Sequence, residues 1–263
     1  TVTATDAAGN SSQSRFNIKI VFQPLVIWSG DNQYGEGAIP PVVTDAIAVA
    51  VGESHSLALQ ADGTVVAWGD NSGGKCNVPP GLSNVIAIAA GGQHSLALRA
   101  DGHVVAWGAN WGGECDVPEN LGDVVAIAAG YYNSLALRAD GTVAEWGNNC
   151  GYDYNIRENL TDVIAIAAGG EGVNLALRAD GTVAAWGCNW NYGCETPENL
   201  SHIVAIAAGT FHALALRDDG TVVAWGADGD DVCNVPSNLG QVTAISAGDG
   251  FNVVLQSDGT LTA

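Results

Sequence analysis

Asp-Gly pairs fall at Asp62, Asp101, Asp140, Asp180, Asp219 and Asp258, in steps of 39 or 40 residues. Trp28, Trp68, Trp107, Trp146, Trp186 and Trp225 keep the same step. The stretch Val85–Gly108, VIAIAAGGQHSLALRADGHVVAWG, returns nearly letter for letter around each pair. A period of about 40 residues filled with short apolar runs folds as units that stack on one another, a propeller or a solenoid. This one feature constrains the fold more than any other.

The unit favours the propeller. VIAIAAG is an apolar run closed by glycine, the length of a strand buried on both faces rather than of a helix. SLALRA and TVVAWG flank Asp-Gly, whose glycine accepts the positive φ of a hairpin turn. The piece CNVP at Cys76–Pro79 carries a proline, as an outer edge strand can. Four antiparallel strands make one blade. In TVVAWG, Val66 and Trp68 point to one face, Val65 and Ala67 to the other. A large Trp opposite a small Ala is what neighbouring sheets need to interlock. Ala67, Ala106, Ala185 and Ala224 hold that position; Glu145 breaks it and is expected to be solvated at a blade edge.

The expected architecture is all-β, a propeller of four-stranded blades over residues 24–263. Residues 1–23 are unlike the repeats: a strand at 1–5, a polar turn and a strand at 15–22. Pro24 marks a linker, and repeat-like sequence begins at Leu25 with LVIWSG, the third strand of a unit. Thr260–Ala263 repeats that same strand, so six repeats are present and six or seven blades stay open. The chain has no methionine and reads as a piece of something longer.

Formal net charge is −20, with only eight Lys and Arg. That balance repels phosphate backbones and anionic membranes, so nucleic acid and membrane insertion are not expected. It favours cations or basic partners. No run approaches the ~20 apolar residues that span a bilayer.

Chemistry is sparse. The even count of six cysteines is compatible with disulfides in a secreted chain. Cys76, Cys115, Cys194 and Cys233 share one repeat position, which Tyr154 and Glu36 also occupy. Cys188 and Cys194 flank one loop and are the best candidate pair. No metal-ligand spacing is present, and Asp228–Asp231 reads as a solvated turn. His55, His94 and His212 share a slot that also holds Asn133, Val173 and Phe251, so the slot is structural rather than catalytic. No nucleotide, cofactor or hydrolase motif stands in a fitting context. No cofactor and no enzymatic activity are expected.

Variation between repeats is most informative in the loops. Between the closing glycine and the next strand sit Glu53, Gln93, Tyr131, Tyr132, Glu171 and Phe211. After each Trp-Gly come Tyr34, Trp111, Tyr152, Trp190 and Tyr192. Loops on a rigid scaffold are where binding surfaces lie, with Tyr and Trp as favoured anchors. These residues are the candidate binding site.

HSLALRADGTVVAWG-like units preceded by VIAIAAG resemble the regulator of chromosome condensation repeat family. WGDNSGGKCNVP followed by LSNVIAIAAG is most similar to its bacterial branch, which includes the propeller-type beta-lactamase inhibitor protein. The first 23 residues resemble the last hairpin of an immunoglobulin-like or hyalin-repeat domain. The resemblance implies a propeller that binds protein through aromatic loops; the nuclear members act on a small GTPase and chromatin, a role this acidic chain does not support. The expected function is a non-enzymatic, extracellular or cell-surface binding or adhesion module that takes protein or glycan through one propeller face. Alternatives are a secreted enzyme inhibitor and a self-associating subunit of a surface layer or filament. Cys188–Cys194 is expected to be oxidised: non-reducing peptide mapping should recover the linked peptides, and two free thiols there would remove the pairing.

Overall fold

The computed structural model describes residues 33–148, 160–170, 172–187, 195–227 and 231–263, with the backbone of two short strands, Ala4–Thr5 and Asn17–Ile18, which pair antiparallel. Trp28, Tyr152, Glu171, Cys188, Trp190, Tyr192, Cys194 and Asp228–Asp230 lie outside the described residues.

Six three-stranded antiparallel sheets follow one another along the chain. The first is Ala46–Val51, His55–Gln60 and Val65–Gly69; the second is Val85–Ala90, His94–Arg99 and Val104–Gly108. The third is Val124–Ala129, Asn133–Arg138 and Val143–Gly147; the fourth is Val163–Ala168, Asn174–Arg178 and Val183–Trp186. The fifth is Ile203–Ala208, His212–Arg217 and Val222–Gly226; the sixth is Val242–Ala247, Asn252–Gln256 and Leu261–Thr262. The single helical turn among the described residues is a 3-10 turn at Ser72–Gly74.

The hairpins form for the reason the sequence suggests. Gly63 takes φ +79°, and the Asp62 carboxylate accepts from the Thr64 amide (2.9 Å) and hydroxyl (2.6 Å). Asp140, Asp180 and Asp219 bond their threonines in the same way. The hydroxyl, and then the amide, hold these carboxyls below their usual range.

Two expectations need correction. The first strand is not buried on both faces along its whole length. Each carries a bulge at its second residue, so Val85 pairs with Arg99 and Ala87 with Leu98 while Ile86 pairs with neither. The bulge turns Ile47, Ile86, Val125, Ile164 and Val204 out to solvent. The blade, moreover, has three ladder strands rather than four. CNVP runs as an irregular segment because its donors are used locally: the Cys76 amide bonds Asn71 Oδ1 (2.9 Å) and the Val78 amide bonds the Cys76 carbonyl (3.0 Å). Pro79 has no amide to offer.

Packing between sheets follows the Trp–Ala alternation. Val65 and Ala67 of the first sheet share a core cluster with Val85, Ile88 and Trp107 of the second. Ala106 and Trp146 meet in the next cluster, Ala185 and Trp225 two interfaces further on. Each buried tryptophan adds roughly 150–250 Å² of burial, which sheets of alanine and valine could not reach alone.

The glycine that closes VIAIAAG marks the closest approach of two sheets. A Cβ on Gly52 would lie 2.5 Å from both the Gly91 carbonyl oxygen and the His55 ring. Gly91 meets His94 and the Gly130 carbonyl in the same way, and Gly130 meets Asn133 and the Gly169 carbonyl. Backbone confronts backbone here, and neither side can yield without moving a sheet. Gly91→Ala should therefore lower unfolding free energy by about 1–3 kcal/mol, measured by urea denaturation. An unchanged midpoint would show that the sheets are less tightly apposed than described.

Candidate functional site

The histidine slot is an inter-sheet pin. His55 Nε2 lies 3.0 Å from Ser95 Oγ of the next sheet, and His94 Nε2 lies 2.9 Å from Ser134 Oγ. Each serine then donates to a carbonyl of the loop that precedes its sheet, Ser95 to Lys75 and Ser134 to Glu114, both at 2.9 Å. Trp107 and Trp146 send their Nε1–H to those same carbonyls. His, Ser, carbonyl and Trp thus form one buried chain at each of the first two sheet interfaces. Where the slot changes, its partner changes too. Asn133 bonds Asn174 (3.0 Å), His212 bonds Asn252 (2.7 Å), and Val173 shares an apolar cluster with Ala213. The slot is structural, as its tolerance of Val and Phe suggests.

Glu145 is not solvated at a blade edge. Its Oε2 accepts from Trp186 Nε1 (2.9 Å) and its Oε1 from Asn174 Nδ2 (3.0 Å) and Asn133 Nδ2 (3.3 Å). The carboxylate accepts the indole N–H in the way that loop carbonyls accept those of Trp107 and Trp146 in the two preceding interfaces, so the side chain sits in the interface with hydrogen bonds on both oxygens.

The cysteines at the shared repeat position also have a structural task. Cys76 and Cys115 are free thiols that donate to the Asp70 and Ala109 carbonyls at 3.3 and 3.2 Å. Burial, reinforced by Glu114 and Asp116, pushes the Cys115 thiol up to about 12, far from a reactive thiolate. Glu36 does not align with them. Its carbonyl accepts Ser56 and Trp68 as that of Lys75 accepts Ser95 and Trp107, so Glu36 is the counterpart of Lys75.

Lys75 and Glu114 are the residues that sequence reasoning missed. They occupy one repeat position with opposite charges, and both are fully buried. Lys75 Nζ pairs with Asp70 Oδ2 (2.5 Å) and donates to Gln93 Oε1 (2.7 Å). Asp70 is held far below the carboxylate range by these donors from Lys75 and Ser72. Glu114 accepts the amides of Trp111 (3.2 Å) and Gly112 (2.7 Å), which fixes the loop that carries Trp111. A hint was available: only a buried or functional position justifies such different charges inside otherwise repeated loops.

Both families of variable loops lie at one end of the sheets. In four of the repeats the residue after Trp-Gly donates its amide back to the loop between the first two strands: Asp70 to Ser54, Ala109 to Gln93, Asn148 to Tyr132 and Ala227 to Phe211. This loop face holds Glu53, Gln93, Tyr131, Tyr132, Phe211 and Trp111 together. Trp111 is 74% exposed and Tyr132 37%. Tyr131 is half-buried; a Cβ on Gly92 would come within 2.8 Å of its ring. Its centroid is 4.5 Å from that of Tyr132. Burial, then the neighbouring Glu53 carboxylate, hold the Tyr131 phenol well above its usual range. The opposite end carries the Asp-Gly turns and Arg99, Arg138, Arg178 and Arg217.

Among the described residues no three His, Cys, Asp or Glu side chains gather as a metal site, and no helix is long and apolar enough to cross a membrane. What the geometry defines is a β-propeller with stacked, pinned blades and a rigid loop face. The repeat model of the regulator of chromosome condensation family matches residues 46–75, 85–110, 124–152 and 203–231. Similar solved structures include Prp20p from Saccharomyces cerevisiae, 23% identical with a TM-score of 0.70, covering 84% of this chain and 72% of that one. Human WBSCR16 is 22% identical with a TM-score of 0.66, over 81% of this chain and 75% of that one. The ectodomain of the Physcomitrella patens receptor kinase CR4 is 24% identical with a TM-score of 0.68, over 82% of this chain and 60% of that one. No curated protein matches the chain in sequence.

The pins make stability depend on pH. Burial, with smaller repulsion from Lys75 and His94, lowers the His55 pKa to about 3 against an ordinary 6.5; burial lowers that of His94 to about 4. Below pH 6.5 the unfolded chain binds protons at these residues that the folded chain refuses. Stability is therefore full above about pH 6.5 and falls toward pH 4, by up to about 1.4 kcal/mol per unit for each histidine. Urea titrations between pH 7.5 and 4.5 should show this slope. His94→Val combined with Ser134→Ala, which copies the Val173–Ala213 pair, should remove the share of His94. An unchanged slope in that variant would exclude His94 as a source.

Proposed function

We propose that the chain is a non-enzymatic protein-binding module that engages its partner through the loop face. The observation that carries this reading is the contrast between constant strands and divergent loops, with all the divergent aromatics of the described residues at one end. Anchors on locked turns favour binding because little rotamer entropy is lost on association. Trp111, held by the buried Glu114 carboxylate, is such an anchor. Prp20p is described with binding to Gsp1p and histones, and the yeast protein also as a complex with Kap60. Those proteins share the fold, which supports protein binding as the mode and leaves the partner open.

The module belongs, in this reading, to an extracellular or cell-surface protein used for binding or adhesion, on the resemblance of the N-terminal hairpin to immunoglobulin-like or hyalin-repeat domains. Surface labelling of intact cells should tag the chain; labelling only after lysis would refute the location.

Tyr132→Ala with Trp111→Ala should weaken binding to its protein partner by about 2 kcal/mol or more, read on an array of purified proteins beside a glycan array. The melting temperature should stay within 2 °C or so, because both side chains are exposed. Tyr131 is left intact because its ring also packs on the neighbouring sheet. Retained binding with lost stability would place recognition elsewhere.

A further inference from the structure

The chain carries 28 acidic and 8 basic residues, and the described basic ones are segregated. Arg99, Arg138, Arg178 and Arg217 close the second strands, at the Asp-Gly end. The one described cation of the loop face, Lys75, is fully buried and paired with Asp70. That face shows solvent Glu53 and Asp249 among Tyr132, Phe211 and Trp111.

Glu53 is held in place without a counter-charge. Lys75 donates to Gln93 Oε1, which turns the amide so that its Nε2 donates to Glu53 Oε2 at 2.8 Å. The Tyr131 phenol lies near the same carboxylate, which adds to burial in holding it above its usual range. None of the ion pairs among the described residues includes Glu53. An exposed carboxylate, steered by a neutral amide donor and set near the paired Tyr131 and Tyr132 rings, is complementary to an ammonium or guanidinium group. Charge attraction and the ring quadrupoles act together on such a group. Because three successive sheets already fix the receptor, little ordering is lost when the cation arrives.

We propose that the loop face takes a basic protein segment and seats one of its lysine or arginine side chains against Tyr131, Tyr132 and Glu53. The inference rests on the protein-binding reading of this face. Charge selects the occupant: an acidic segment, a nucleic acid or an anionic membrane meets only repulsion here, and a neutral segment leaves Glu53 without a cation.

The test uses the full chain and four fluorescein-labelled Gly-Ser nonapeptides bearing three Lys, three Arg, three Gln or three Glu, read by fluorescence anisotropy in low and moderate salt. The Lys and Arg peptides should bind, the Gln peptide about tenfold more weakly, and the Glu peptide not at all. Glu53→Gln should lower affinity for the basic peptides about tenfold, and Tyr131→Phe should lower it by a smaller factor because only the hydroxyl is lost. Glu119→Gln, an equal change of charge away from this face, should leave affinity unchanged. Thermal unfolding checks that each variant is folded. Equal loss in Glu53→Gln and Glu119→Gln would reduce the effect to diffuse attraction by an acidic chain and overturn the site. Failure of all four peptides to bind would overturn it as well. If the Gln peptide binds as tightly as the Lys peptide, and Tyr132→Ala with Trp111→Ala weakens both, the basic occupant is wrong while the protein-binding face stands.

Discussion

The molecule depends on how one sheet is held to the next. At every interface two backbones touch at a glycine, and beside that contact a slot residue meets a partner about 40 positions further along the chain. A buried polar atom must find a partner or forfeit its hydration. The two members therefore match: His55 with Ser95, His94 with Ser134, Asn133 with Asn174, His212 with Asn252, and two apolar residues at Val173 and Ala213. At the first interfaces the seam also orients Trp107 and Trp146 and the loops beneath them, because the serine and the indole share one loop carbonyl.

The fold was legible because its determinants are local and repeated. Asp-Gly-Thr announces a turn whose bonds lie within three residues, and the Trp–Ala alternation announces which faces must meet. The bulge at Ile86 was hidden, since an apolar residue in an apolar run gives no sign that the backbone has slipped by one. The missing ladder strand at Cys76–Pro79 was hidden differently: Asn71 captures the Cys76 amide from five residues away, a bond no periodicity reveals. Glu145 was misjudged for a related reason. Its partners Asn133, Asn174 and Trp186 come from two sheets, and only assembly brings them together.

The site was legible as a set of positions but not as an arrangement. Sequence variation pointed to Glu53, Gln93, Tyr131 and Tyr132 separately. Their joining across three successive blades requires Lys75, which looked like one more loop residue. Burying a charged nitrogen is costly unless it is paired and fully bonded. Here Asp70 neutralises it while Gln93 carries its orienting effect to the surface. A rigid interior thereby fixes the direction in which an exposed carboxylate points, whereas the aromatic side chains need only a stiff turn beneath them.

Near-identical repeats carry a hazard of their own: any unit can dock on the wrong neighbour during folding and trap the array out of order. The interface that joins Asn133, Glu145, Asn174 and Trp186 answers it. A blade ending in Ala106, placed before the Asn174 sheet, would leave that asparagine and the Trp186 indole without the Glu145 carboxylate. Glu145 set against a His–Ser seam would bury a charge with no amide to receive it. The interface built around the Glu145 carboxylate therefore works as a registration key, making skipped or exchanged blades less favourable than the native sequence of docking.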